Sequence, residues 1–254
     1  MRKRNPKKVK ATDAIFEQLK EEHERATKDI RILRISFDAK NKVAIGEFSR
    51  GGKNWTKVEA GDHDFAKEHL TPFGFYLPDY KETSIYLVES KVTADCIVDL
   101  LSDFWTTIKS RFPLVHTLLL NADNGPECHS RRTQFMQRIC LFAVEQNVRV
   151  KLCYYPPYHS KYNPIERVWG GLEQHWNTDI LDTKNTVIKF VESFSWAQKK
   201  VMVVLWDKLY ETGKKLTPKA MEKLETAIDR FNDFIGKWFI DICPHKVIHN
   251  LLSG

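Results

Sequence analysis

The run Leu118-Leu119-Leu120-Asn121-Ala122-Asp123-Asn124-Gly125-Pro126 limits what this chain can fold into more than any other stretch. A strand with one wet face alternates apolar and polar residues, whereas Leu118 to Leu120 are apolar toward both faces. The expectation is a central parallel strand covered on both sides, and therefore an α/β sheet. Asn124, Gly125 and Pro126 break the run at once, leaving Asp123 at the strand's carboxyl end.

The neighbouring segments supply partners for such a strand. Residues 11 to 29 have helical spacing, with Ala14, Ile15 and Leu19 on one face. From Arg31 to Asp38, Leu33, Ile35 and Phe37 alternate with Arg34, Ser36 and Asp38, a strand pattern that ends on an acid. Asn41 to Phe48 reads as an antiparallel partner strand, followed by a turn at Ser49 to Gly52. Residues 60 to 82 show no clear period, and Ile85 to Val88 is a short strand. Val92 to Arg111 carries a broad apolar stripe and stops before Pro113. Thr133 to Glu145 reads as a helix and Val148 to Tyr154 as a strand ended by Pro156 and Pro157. Asn163-Pro164-Ile165-Glu166 opens a further helix, with Asn163 as N-cap, Pro164 at the first position and Glu166 at the third. Beyond Thr183 the chain reads as mostly helical. The fold class expected is thus a mixed α/β sheet flanked by helices, with a helical C-terminal extension. The organisation expected is a basic arm and helix over 1–29, a core domain over 30–182 and the extension over 183–254.

With 254 residues, 42% of them hydrophobic, the chain can build a real core. No stretch reaches the roughly 18 uncharged apolar residues of a membrane span. Five scattered cysteines and no apolar leader fit reduced thiols in a cytoplasm. Six of the 40 basic residues lie in the first ten positions, where there is no acid. Against 33 acids, the rest of the chain is almost neutral. The basic arm suits phosphate contacts or a plain solvated terminus, and charge does not choose between them.

Three acids occupy unusual positions. Asp38 ends the first strand, Asp123 ends the buried strand and Glu166 lies in the first turn of a helix. If the two strands are neighbours, the acids form one carboxylate cluster, which at neutral pH persists mainly around a divalent cation. Oxygen ligands without Cys or His point to Mg²⁺ or Mn²⁺, and a pair of such ions suits phosphodiester chemistry. Each acid also has a plain reading. Asp123-Asn124-Gly125 is a common turn sequence, and Glu166 can reciprocate an Asn163 cap.

The stretches ISFDAKNKVAIGEFSRGG, LLLNADNGPE and YYPPYHSKYNPIERVWGGLEQHW resemble the three acidic blocks of DDE transposases of bacterial insertion sequences, most closely the ISAzo type. The third is the most specific, and the acids are 85 and 43 positions apart in order. Similarity runs from about Ile30 to at least Gly213. The resemblance implies an RNase H-like fold and Mg²⁺- or Mn²⁺-dependent DNA cleavage and strand transfer. It implies Asp38, Asp123 and Glu166 as catalytic metal ligands, with two ions. It places Asn124, His159, Lys161 and Asn163 near the scissile phosphate or in the loop around it. The partners implied are the element's terminal inverted repeats, target DNA and a second copy of the chain, in the bacterial cytoplasm. Relatives carry an N-terminal helix-turn-helix that selects DNA ends. With about thirty residues ahead of the first block, the expectation here is a catalytic piece or a shortened reading frame. The rival readings are a metal-dependent nuclease without strand transfer and a DNA-binding relic. Cys243, His245 and His249 are possible zinc ligands without a CxxC pair. Phe194, Trp196 and Trp206 read as core or as a base-stacking surface.

Overall fold

The computed structural model describes residues 10–46, 68–177 and 179–252. The expected turn at Ser49 to Gly52 and nearly all of the basic arm lie outside these residues. In chain order the elements begin with α1 (Thr12–Lys28), β1 (Ile32–Ala39), β2 (Val43–Ile45), β3 (Glu68–Leu77) and β4 (Glu82–Val88). They continue with α2 (Ala94–Ile108), β5 (Thr117–Ala122), α3 (Thr133–Glu145), β6 (Arg149–Tyr154), α4 (Ile165–His175) and α5 (Lys184–Ser193). The last are β7 (Ser195–Trp196), β8 (Lys199–Lys200), β9 (Met202–Trp206), α6 (Pro218–Glu225), β10 (Asp229–Arg230), β11 (Phe239–Ile242) and α7 (Pro244–Val247). The chain divides into two compact units.

The first unit takes the chain up to Ser36, then Thr93–Asn163 and Glu211 onward. Its sheet is mixed. β5 lies parallel to β1, with Ile32 opposite Thr117 and Ser36 opposite Asn121, and parallel to β6 on its other side. β11 then runs antiparallel to β6, and β10 antiparallel to β11. All six residues of β5 are buried, as its apolar run requires. α2 starts at a Thr93 cap whose hydroxyl accepts from the Cys96 N–H, and it buries Ile97, Leu100, Leu101, Phe104 and Trp105 on one face. α1 packs Ile15 and Leu19 with Leu119 and Tyr155.

His23, on α1, is half-buried beside this packing. Burial, and secondarily the charge of Arg34, hold its pKa at about 3 against an opposing hydrogen bond to Asn121. The folded state therefore keeps the ring neutral while the unfolded chain protonates it below about 6.5. Stability from this group is complete above that pH and is lost as the pH falls toward 3, by about 1.4 kcal/mol per pH unit. His23→Leu should flatten the acid side of a stability–pH profile by about 2 kcal/mol at pH 5, read by urea unfolding. A profile unchanged by the substitution would remove His23 as the cause.

The second unit takes Phe37–Val92 and Pro164–Tyr210. β3 pairs antiparallel with β2 and with β4, and β9 adds parallel to β4. α4 and α5 cover this sheet. Ile165, Val168, Trp169 and Leu172 share one buried cluster with Val43, Leu70, Ile85 and Leu87. Gly74 makes the fit possible, since a Cβ there would lie 2.7 Å from the Trp169 ring and 2.9 Å from Ile165.

Two expectations need correction. The antiparallel partner of β2 is β3, whose Thr71 to Tyr76 core the sequence did not mark as a strand. The chain beyond Thr183 is not a helical extension. It holds α5, α6 and α7, but β9 joins β4, β11 joins β6 and β10 joins β11. Phe194 is buried in the second unit's core, Trp196 packs against it, and Trp206 meets Tyr86 edge-on at 5.9 Å. The core reading holds for Phe194, while Trp196 and Trp206 are half-buried.

Candidate metal centre

Each acid is delivered by a different local rule. Asp38 is the last residue but one of β1 and half-buried. Asp123 follows β5 directly, where the Asn-Gly-Pro break ends the ladder. Its backbone carbonyl accepts from the Cys128 thiol at 3.3 Å, and the Tyr154 hydroxyl donates to the Cys128 carbonyl at 2.6 Å. The loop after β5 is thus tied to its own unit. Glu166 stands in the first turn of α4, the favourable end of the helix dipole for an acid.

The start of α4 differs by one position from the sequence reading. Pro164 occupies the cap, and the Arg167 N–H closes onto the Pro164 carbonyl at 3.2 Å. Glu166 is then the second helical residue. Asn163, fully buried, faces inward, and its Oδ1 accepts from the Ser36 hydroxyl at 2.6 Å. Two residues that precede the acids, Ser36 before Asp38 and Asn163 before Glu166, are therefore joined directly. Ser36→Ala removes that donor from a buried carbonyl and should cost about 1–3 kcal/mol in chemical unfolding. A loss under a few tenths would mean the bond is redundant.

One carboxylate oxygen from each of Asp38, Asp123 and Glu166 lies within 4.8 Å of the others. Among the described residues, no other group of three or more His, Cys, Asp or Glu side chains is placed to hold a metal ion, so Cys243, His245 and His249 do not make a zinc site there. Burial raises the pKa of Glu166, and the Lys40 ammonium opposes that shift. Lys40 also pairs with Glu173 at 2.6 Å and lies over the Trp176 ring. Nothing in the sequence marked Lys40 or Ser36, because neither lies in a recognisable acidic position. An all-oxygen set of this size fits a hard divalent cation.

The other expected residues have these surroundings. Asn124 is exposed in the loop after Asp123, and Lys161 is exposed with its ammonium 5.2 Å from the Tyr162 ring centre. His159 is buried, 4% exposed, and its Nδ1 lies 2.8 Å from the Pro157 carbonyl. Its ring packs with Phe16 and Tyr162.

The family model of the Rhodopirellula transposase DDE domain matches residues 1–244. The chain belongs to that family. It is a transposase DDE domain, and the mixed sheet flanked by helices is RNase H-like. Its fold is shared with Mos1 transposase in solved structures. The paired-end complex with the left transposon end matches at a TM-score of 0.54 and 14% identity, over 75% of this chain and 56% of that one. The pre-cleavage transpososome matches at 0.52 and 13%, over 79% and 59%. The mariner paired-end complex with Mn matches at 0.51 and 13%, over 75% and 57%. The chain thus spans less than two thirds of the Mos1 chain. No curated protein sequence shows a significant match. Among the described residues, no helix is long and apolar enough to cross a membrane.

Proposed function

We propose that this domain cuts a phosphodiester at the end of an insertion sequence and joins the freed 3′-hydroxyl to target DNA. The observation that carries the reading is the convergence of Asp38, Asp123 and Glu166 in a chain of the transposase DDE family. These three side chains would hold Mg²⁺ or Mn²⁺, in keeping with the Mn in one of the similar Mos1 complexes. The bound cation supplies Lewis-acid stabilisation of phosphoryl oxygens and a more acidic attacking hydroxyl.

The residues themselves do the positioning. Three like charges this close repel, so the folded core holds them together at a cost that a cation offsets. Burial around Glu166 strengthens local electrostatic contacts and raises its pKa, a shift that the Lys40 ammonium opposes. Asn124 and Lys161, exposed and near the acids in sequence, would meet the DNA backbone, whereas His159 and Asn163 would hold the loop before α4. The basic arm adds phosphate contacts. Paired ends require at least two copies of the chain, in the cytoplasm where the DNA lies.

The test is a gel assay with this chain, Mg²⁺ or Mn²⁺, labelled element-end DNA and a target duplex. Cation-dependent nicking followed by a joined product is expected. Nicking without joining would reduce the reading to a nuclease, and neither product would overturn it.

A further inference from the structure

A cavity of about 460 Å³ opens in the first unit, beside α1. Phe16, Tyr155 and Tyr162 give it flat aromatic walls, and Lys20, Lys28 and Arg34 give it a basic rim. Glu24 also lines it, within 3.9 Å of both lysines, so the rim remains positive. The one histidine in the lining, His23, is neutral at physiological pH.

Tyr162 is the exposed wall. Its side chain is held in place edge-on to Phe16 at 5.1 Å and stacked with His159 at 6.0 Å, yet the residue remains 50% exposed. A fixed, half-exposed aromatic ring in a cavity with cations around it suits a planar ligand on a polyanionic backbone. The opposite wall is joined to the acidic site by the backbone, since the Tyr155 N–H donates to the carbonyl of Ala122, the residue before Asp123.

We propose that this cavity receives one unpaired nucleobase of the DNA strand that carries the scissile phosphate. The base stacks on Tyr162, and its flanking phosphates lie over Lys20 and Lys28. The proposal rests on the DNA-cutting reading above, and deepens it by naming where the cut strand is unpaired and held. An acyl chain fits less well, because three of the four apolar side chains in the lining, Phe16, Tyr155 and Tyr162, are aromatic.

The test titrates the full chain against a single-stranded oligonucleotide from the cut strand bearing one 2-aminopurine, with a matched abasic oligonucleotide. Wild type should quench the fluorophore and bind the intact strand about five-fold or more tightly than the abasic one. Tyr162→Ala should lose the quenching and about five-fold or more in affinity, while Tyr162→Phe stays within two-fold of wild type. Quenching by Tyr162→Ala equal to wild type, or equal affinity for the abasic strand, would overturn the base site. Quenching confined to a 2-aminopurine in the target duplex would overturn the assignment to the cut strand. Asp123→Asn should quench like wild type without cutting. If wild type quenches but cuts no DNA, the transposase reading fails and takes the assignment to a cut strand with it, while base stacking on Tyr162 stands. If wild type cuts and Tyr162→Ala both cuts and binds equally, the base site fails alone.

Discussion

Asp123→Asn should lower divalent-cation-dependent DNA cleavage by at least about 10³-fold while the protein stays folded. The reasoning starts from charge. Asn keeps the shape of Asp and the end of β5, but offers one neutral oxygen in place of a carboxylate. About 4 kcal/mol of transition-state stabilisation is a modest share of what a bound cation supplies, and it corresponds to that loss. The same substitution removes one of three charges held within 4.8 Å, so repulsion in the metal-free protein falls. The melting temperature without metal should therefore hold or rise, and Mg²⁺ should no longer raise it. Asp38→Asn and Glu166→Gln should behave alike. Near-normal cleavage by any of the three, assayed by gel with purified folded protein, would remove that acid from the site.

Gly74→Val should destabilise the second unit and slow cleavage together. A Cβ at this position would lie 2.7 Å from Trp169 and 2.9 Å from Ile165, both buried in the cluster that seats α4. The Ile165 Cδ1 methyl can turn aside but the buried Trp169 ring has no such freedom, so the start of α4 must move. Overpacking of this kind costs about 1–3 kcal/mol. Because Ile165 precedes Glu166, the displacement reaches the acid, and a shift of about 1 Å is worth up to about 10²-fold in rate. Trp169→Leu alone should also destabilise through the space it leaves. Combined with Gly74→Val it should recover stability relative to the sum of the two, because each change corrects the other. Strict additivity in urea unfolding would show that the contact is not what seats the helix.

How much of this could be read from the letters varied with the local signal. The apolar run to Asp123 and the alternation to Asp38 gave strands with acids at their ends, and both are seen in β5 and β1. β3 was illegible for a physical reason. It is buried on both faces from Leu70 to Tyr76's neighbour Phe75, so it lacks alternation, and Pro72 and Gly74 read as loop residues. The chain after Ser193 misled for a related reason. Met202 to Trp206 is a short apolar run without period, and the turn between β7 and β8 uses Ala197 and Gln198 at positive φ instead of Asn-Gly. The cavity beside α1 was beyond reach, since Phe16, Arg34, Tyr155 and Tyr162 are far apart in sequence and each looks ordinary alone.

Titration of Mn²⁺ into the purified protein, followed by isothermal calorimetry, tests the acidic centre most directly. Saturable binding by wild type, weakened at least about ten-fold in Asp38→Asn, Asp123→Asn and Glu166→Gln, is the expected result. Equal Mn²⁺ affinity in wild type and all three variants would contradict it.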